Sequence, residues 1–171
     1  MQSLSKALSL ALLMVVLSAS SVVGGLPRVP EGFTIEVAAG SPLVKHPMLA
    51  GFDERGRLYI AESAGQNIGA GDLVKNPPNF IRRLEDTDGD GRFDKSTIFA
   101  DKMTLPMGAL WHRGALYVAS PPNIWRLRDF DDDGVADERK ILVDSFGFSG
   151  NAASVHGCFL GPNGRLYWCD G

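Results

Sequence analysis

The most informative stretch of the sequence is PPNFIRRLEDTDGDGRFD at residues 77–94, because a second version of it, PPNIWRLRDFDDDGVAD, follows at residues 121–137. The two stretches agree once a single residue is gapped, at an offset of 43 to 44 residues. Another element occurs three times, as ERGRLYIAE at 54–62, HRGALYVAS at 112–120 and PNGRLYWCD at 162–170. The two elements alternate in a constant order, which indicates a chain built from repeats.

Each repeat has the pattern of four short strands. An apolar strand and a Gly-containing turn lead to the LY strand, and the I-x-R-L strand, an Asp-rich loop and a last apolar strand follow. Short strands separated by turn residues, in units of roughly 40 to 60 residues, are typical of β-propeller blades. We therefore predict an all-β fold, a partial β-propeller of about two and a half four-stranded blades.

Two further stretches lie outside the repeated elements. Residues 63–76, SAGQNIGAGDLVKN, interrupt the first repeat and are predicted to form a Gly-rich loop on one rim. Residues 32–39, GFTIEVAA, are predicted to supply the outer strand of the final blade. Because propellers have about four to eight blades, we expect the chain to be the N-terminal part of a larger protein. A small closed or oligomerising β domain is the alternative.

Residues 1–25 have the layout of a secretory signal peptide. Lys6 precedes an apolar run over residues 7–17 that is too short to span a bilayer, and SASSVVGG follows. We predict a signal peptide over 1–25, a propeller segment over 26–171, and a secreted, periplasmic or cell-surface location; an uncleaved anchor is the alternative. No other segment is predicted to span a membrane. The net charge of −3, without a basic block, gives no reason to expect a nucleic-acid partner.

The two Asp-rich loops match a calcium-binding pattern, with Asp at the first, third, fifth and ninth positions, Gly at the sixth and a backbone carbonyl at the seventh. Thr97 and Lys140 stand where an EF-hand has its bidentate Glu, so the loops are not EF-hands. The predicted ligands are Asp86, Asp88, Asp90, the Arg92 carbonyl and Asp94 in the first loop, and Asp129, Asp131, Asp133, the Val135 carbonyl and Asp137 in the second.

The alternative is that Asp and Gly only form a tight turn, since both tolerate left-handed backbone. A turn needs fewer such residues, and four neighbouring carboxylates without a cation repel one another. Magnesium is less favoured because it prefers few carboxylates and retained water. We therefore predict calcium with a structural role in both loops, with Asp132 as an extra charge outside the ligand pattern of the second.

His156 is the candidate for chemistry. Aligned repeats have Pro106 and His46-Pro47 at its place, which predicts that His156 stands at the channel end of an inner strand, with His46 as a weaker candidate. A His there can act as a general base or a metal ligand; the alternative is a His that only hydrogen-bonds to neighbouring backbone. Cys158 and Cys169 fall on adjoining strands, and both a disulfide and two reduced thiols remain open.

The stretches LPRVPEGFTIEVAAG (26–40), RLEDTDGDGRFDKSTIFAD (83–101) and VHGCFLGPNGRLYWCDG (155–171) carry a family resemblance. They resemble the exported β-propeller module of planctomycete and verrucomicrobial proteins labelled membrane-bound dehydrogenase-like. That module is similar in turn to the soluble quinoprotein glucose/sorbosone dehydrogenases.

The resemblance implies oxidation of a sugar or other small molecule with pyrroloquinoline quinone (PQQ) and calcium. It implies His156, ahead of GPNGRLY, as the catalytic base, and a c-type cytochrome domain downstream. We expect an exported, calcium-binding module of a quinoprotein-type sugar or alcohol dehydrogenase-like protein, inactive as this segment alone. The alternative function is a non-catalytic propeller that binds carbohydrate or protein as a surface scaffold.

Overall fold

The structure, a computed structural model, describes residues 25–150 and 154–171. The signal peptide predicted over residues 1–25 lies, except for Gly25, outside the described residues. Residues 25–36 contain neither helix nor strand and are exposed. The β-structure lies in the unit that begins at Val37. Within the described residues, no helix has the length and apolar character needed to cross a membrane.

Three antiparallel sheets make up the β-structure, so the predicted all-β class is confirmed. The first sheet has the strand order β1 (Pro47–Phe52), β2 (Leu58–Glu62), β3 (Asn79–Glu85) and β4 (Lys95–Met103). The second has the order β5 (Leu110–His112), β6 (Ala115–Ser120), β7 (Asn123–Arg128) and β8 (Glu138–Val143). The third is the hairpin of β9 (His156–Leu160) and β10 (Leu166–Cys169).

Each sheet follows the repeats of the sequence. The three LY stretches form β2, β6 and β10, and the I-x-R-L stretches form β3 and β7. Strands that are consecutive in the chain pair with each other, as expected where a short connection joins two antiparallel strands. The first strand of the second sheet is short, since β5 has only three residues.

The insertion between β2 and β3 is not wholly a loop. It contains the helix α1 (Ala70–Lys75), which the Gly-rich composition did not predict. Burial of Leu73 stabilises the helix, and Asp72 in the first turn and Lys75 in the last suit the helix dipole.

Residues 32–39 contain no strand, in contrast to the prediction. A strand requires a partner for its N–H and C=O groups, and the ladder predicted for this segment is not formed in the described structure. At the end of the segment, the Ala38 carbonyl accepts a hydrogen bond of 3.0 Å from the Phe93 N–H.

The main core lies between the first and second sheets. Side chains alternate along β2, so Tyr59 and Ala61 belong to this core while Ile60 belongs to a separate cluster with Val44 and Leu84. The second sheet contributes Leu116, Val118 and Leu127 to the same core. A further cluster joins the second sheet to β9 through Ala119, Ile124, Val155 and Cys158.

The first strands of the three sheets approach one another closely. A Cβ added to Gly51 would lie 2.1 Å from the Ala109 carbonyl oxygen, and one added to Gly108 would lie 2.0 Å from that of Gly157. The Gly157 N–H also donates to the Met107 carbonyl oxygen at 2.7 Å. Glycine at these positions therefore allows backbone from successive sheets to touch, and His156 lies beside this contact.

Candidate metal loops

The first Asp-rich loop (loop 1, residues 86–94) connects β3 to β4. Asp86, Asp88 and Asp94 each place one carboxylate oxygen within 4.8 Å of the others. These are the first, third and ninth positions of the predicted pattern. Loop 1 therefore gathers three of its four predicted carboxylate ligands around one point.

The second loop (loop 2, residues 129–137) connects β7 to β8 and has the same arrangement. Asp129, Asp131 and Asp137 meet the same 4.8 Å limit. The agreement between the loops indicates that the spacing of the aspartates sets the geometry, since the residues between them differ.

The same hydrogen bonds hold both loops. The first-position Asp86 accepts the Gly89 and Gly91 N–H groups at 2.7 and 2.9 Å. Asp129 accepts those of Asp132 and Gly134 at the same two distances. The ninth-position carboxylate accepts the N–H of the second residue, Thr87 at 3.2 Å in loop 1 and Phe130 at 2.7 Å in loop 2.

Two positions in each loop adopt left-handed backbone. They are Gly89 and Gly91 in loop 1, with φ of 77° and 89°, and Asp132 and Gly134 in loop 2, with φ of 63° and 97°. Gly and Asp are the residues that tolerate this conformation at lowest cost. The turn chemistry predicted from the sequence is therefore present in both loops.

The fifth-position aspartates lie outside the carboxylate groups. Asp90 accepts the Arg92 N–H and Asp133 accepts the Val135 N–H, both at 2.8 Å. Arg92 and Val135 make these hydrogen bonds through their N–H groups. Their carbonyl oxygens, which are the predicted metal ligands, are not involved in them. Metal ligation by these four residues stays a prediction.

The loops could hold a calcium ion without losing these hydrogen bonds. A carboxylate has about four lone-pair sites, so an oxygen that accepts one N–H can still coordinate a cation. Hydrogen bonds from Gly91 and Gly89 also keep the pKa of Asp86 below its usual range, which keeps this carboxylate charged. The three converging carboxylates supply hard oxygen ligands, which calcium prefers.

Loop 2 has a network of arginines that the sequence did not reveal. Arg83, on β3 of the first sheet, donates from Nη1 to Asp129 Oδ2 at 3.1 Å. Asp132 forms ion pairs with Arg55, at 2.6 Å, and with Arg57. Asp132 is thus a partner for arginines, with its pKa lowered mainly by Arg57. It is not an unpaired extra charge.

No periodic signal could have exposed these contacts, because they join different repeats. Arg83 and Asp129 are 46 residues apart, and Arg55 and Asp132 are 77 apart. The sequence clue is the pair of arginines in the β1–β2 turn, ERGR, of which Arg57 also pairs with Asp53 of its own repeat.

His156 is the first residue of β9 and is half-buried. Its Nδ1 lies 2.8 Å from the Ser154 carbonyl oxygen, so Nδ1 is the donor and Nε2 keeps its lone pair. This bond agrees with the alternative in which His156 only hydrogen-bonds to neighbouring backbone. It also leaves Nε2 as a nitrogen that could accept a proton. His46 precedes β1 and is exposed, with its ring packed beside Gly65.

An open depression of about 400 Å³ lies near the third sheet, and His156 is not among its lining residues. The lining contains one carboxylate and no basic side chain: Gly147, Phe148, Ser149, Ser154, Asp170 and Gly171. PQQ carries several carboxylates and needs positive partners. The residues lining this depression therefore do not fit it.

The two cysteines are free thiols. Cys169 pairs in the β-ladder with His156, and a register shift separates this pair from the Tyr167–Phe159 pair. Cys158 is buried, which raises the pKa of its thiol to about 12, whereas Cys169 is exposed. Of the two alternatives that the sequence left open, the structure has the reduced pair.

The family described as Domain of unknown function (DUF7133) matches residues 26–171. The chain belongs to this family. The DUF7133 match begins directly after the predicted signal peptide and includes every strand and both Asp-rich loops. None of the curated proteins matches the chain. The DUF7133 description states no activity, so the function must be argued from the geometry.

Proposed function

We propose that this DUF7133 chain is an exported calcium-binding β-propeller module in which calcium has a structural role. One observation carries the proposal. Two Asp-rich loops lie at the same place in successive sheets, and in each loop the carboxylates at the same three positions converge and are held by the same hydrogen bonds. A calcium ion held in the loop between the third and fourth strands would brace the outer edge of a blade.

The propeller arrangement is supported by the sheets themselves. Two sheets have four antiparallel strands in sequential order, and their first strands touch through glycine positions. On the β9–β10 hairpin, Phe159 and Tyr167 form a paired position and are both exposed, at 55% and 49%. Tyr59, at the matching place in the first sheet, is 0% exposed because it stacks on Trp111 of the second sheet. A further sheet packed on β9–β10 would bury Phe159 and Tyr167 in the same way.

Calcium binding would relieve electrostatic repulsion in loop 1. Its carboxylates form no ion pair with a basic residue among the described side chains, and those of Asp88 and Asp94 are exposed. The basic residues at its edge, Arg83 and Lys95, pair with Glu85 instead. A divalent cation at the convergence point would replace this repulsion with attraction and would hold the β3–β4 connection in one conformation.

Thermal unfolding in calcium and in EDTA tests the proposal. At about one hundred times the dissociation constant, calcium should raise the melting temperature by roughly 5–10 °C, and magnesium should raise it less. Asp88→Asn with Asp94→Asn should abolish the shift. Glu54→Gln, which removes an exposed charge outside the loops, should preserve it. An unchanged melting temperature of the wild type in millimolar calcium would sink the proposal.

A quinoprotein-type dehydrogenase of sugars or alcohols is the second candidate function, and it rests on the sequence resemblance together with the available Nε2 of His156. The other alternative remains a non-catalytic module that binds carbohydrate or protein. Dye reduction by the purified chain with glucose, PQQ and calcium tests whether this chain alone has dehydrogenase activity. We expect no turnover from this chain, and turnover that is lost in His156→Ala would favour the dehydrogenase.

A further inference from the structure

The two Asp-rich loops share their backbone geometry but differ in their surroundings. Loop 2 contacts a buried guanidinium from the first sheet, whereas loop 1 has no ion-pair partner among the described side chains. This difference falls on the first-position carboxylate, which is central to the predicted calcium pattern.

In loop 2 the first-position carboxylate is nearly saturated with donors. Asp129 Oδ2 accepts both the Gly134 N–H at 2.9 Å and Arg83 Nη1 at 3.1 Å, and Oδ1 accepts the Asp132 N–H. The side chains of Arg83 and Asp129 are only 1% and 3% exposed. Both lone pairs of Oδ2 are therefore used, and the pair is shielded from water.

The matching carboxylate of loop 1 has no such partner. Asp86 accepts the Gly89 and Gly91 N–H groups and, within the described structure, no side chain contributes a positive charge to it. The remaining lone pairs of Asp86 stay available for a cation.

Additional positive charge lies at the surface of loop 2. Arg55 and Arg57 both bind Asp132, and Arg83 Nη1 is 3.7 Å from the same carboxylate. Gly134 also packs against the guanidinium, since a Cβ there would lie 2.7 Å from Arg83 Nη2. Three arginines of the first sheet therefore offset the acidic charge of loop 2, and a divalent cation would be repelled by them.

We propose that Arg83 takes in loop 2 the place that a divalent cation takes in loop 1, so that the chain binds one calcium ion and not two. This inference rests on the proposed calcium site in loop 1. On this inference the conformation of loop 1 depends on a bound ion. Loop 2 is instead held permanently by the ion pair between Arg83 and Asp129, which we call the clasp, between the first and second sheets.

Calcium titration calorimetry on a matched pair of variants tests the stoichiometry. Asp88 and Asp131 are both third-position residues, and each accepts one backbone N–H, at 3.2 and 3.3 Å, which asparagine can also accept. We expect one ion per wild-type chain, at least tenfold weaker binding in Asp88→Asn and unchanged binding in Asp131→Asn. Two ions, or an ion lost in Asp131→Asn, would overturn the inference.

Hydrogen exchange in EDTA tests the clasp without calcium. The amides to compare are Gly91, which is exposed, and Gly134, which is buried beside Arg83; both bond to the first-position carboxylate. We expect Gly134 to exchange roughly tenfold more slowly than Gly91, as a charge-assisted bond from Arg83 predicts, and calcium to slow only loop 1. Equal exchange of the two amides in EDTA would contradict the clasp. Slow exchange of Gly134 without any response to calcium would support the clasp and refute the proposed calcium site.

Arg83→Met gives a third measurement. It should remove the protection of Gly134 in EDTA and allow a second calcium ion to bind, whereas Arg83→Lys should restore part of the protection. Protection of Gly134 that persists in folded Arg83→Met would count against the inference. If Arg83→Met does not fold, the Asp88 and Asp131 variants and the wild-type exchange rates still decide the question.

Discussion

Arg83 Nη1 lies 3.1 Å from Asp129 Oδ2, and this contact joins β3 of the first sheet to the loop that follows β7 of the second. The same guanidinium donates from Nη2 to Glu85, the residue before loop 1, also at 3.1 Å. One buried arginine therefore contacts loop 2 and the residue that precedes loop 1. Ionic contact between the sheets supplements the apolar core that Tyr59, Phe99 and Leu116 form beside it.

Removing one partner of this pair should be strongly destabilising. Arg83→Met leaves Asp129 buried and unpaired, and we expect a loss of about 3–5 kcal/mol in the free energy of unfolding, measured by urea denaturation at neutral pH. Arg165→Met, in the exposed β9–β10 turn, is the matched control and should change stability by less than about 0.5 kcal/mol. A loss from Arg83→Met as small as that of the control would show that water already screens the pair.

Tyr59→Phe should stabilise the protein. Tyr59 is 0% exposed, and its hydroxyl lies near Arg83 but makes no hydrogen bond of regular geometry within the described structure, so removing the oxygen relieves a buried polar group. We expect a gain of about 1 kcal/mol in unfolding free energy at pH 7. Tyr117→Phe, on the half-buried side of β6, should have little effect.

The same side chain predicts an alkaline dependence. Burial raises the pKa of Tyr59 to about 12, from 10.0. Because the folded pKa is the higher one, the stability contributed by the neutral phenol is complete below pH 10 and is lost as pH rises towards 12. The wild type should therefore lose more stability than Tyr59→Phe across that range. Near-ultraviolet absorbance of phenolate should show one tyrosine titrating late; simultaneous titration of all the tyrosines would contradict the assignment.

Gly108→Ala should destabilise the contact between the first strands. Its Cβ would lie 2.0 Å from the Gly157 carbonyl oxygen, a backbone atom that cannot rotate away, and we expect a cost of at least about 1–3 kcal/mol. Gly71→Ala is the control, since no atom lies within 4 Å of its added Cβ and it sits inside α1. There we expect a gain of about 0.5–1 kcal/mol. Equal effects of the two substitutions in thermal unfolding would argue against close backbone packing at Gly108.

The cysteines should differ in reactivity. Burial raises the pKa of the Cys158 thiol to about 12, so near neutral pH it is protonated and shielded, whereas Cys169 is exposed. A thiol reagent should label one site in the native protein and two in guanidinium chloride, with mass spectrometry placing the native label on Cys169. Cys169→Ser should abolish the native label. Failure of the denatured, unreduced protein to react would instead indicate a disulfide.

Much of the fold follows from local patterns. The LY and I-x-R-L stretches predicted β2, β3, β6 and β7, because alternation and turn residues act within a few positions of the chain. The loops were predicted in part, since Asp at fixed spacing predicted four carboxylate ligands in each loop and three of the four converge. Local patterns failed for α1, whose formation depends on a burial site for Leu73. They failed also for residues 32–39, because a strand there needs a second strand, distant in the chain, as its hydrogen-bonding partner.

Local patterns were enough to predict the repeat, the all-β class and the convergence of three carboxylates in each acidic loop, since each depends on hydrogen bonds and turns within one short segment. That the two loops are not equivalent became evident from the packing of the sheets. Loop 2 meets Arg83, Arg55 and Arg57 from another sheet, and loop 1 meets no such group in the described structure. Electrostatic interaction depends on distance in space, and distance in space between repeats is set by the packing of sheets.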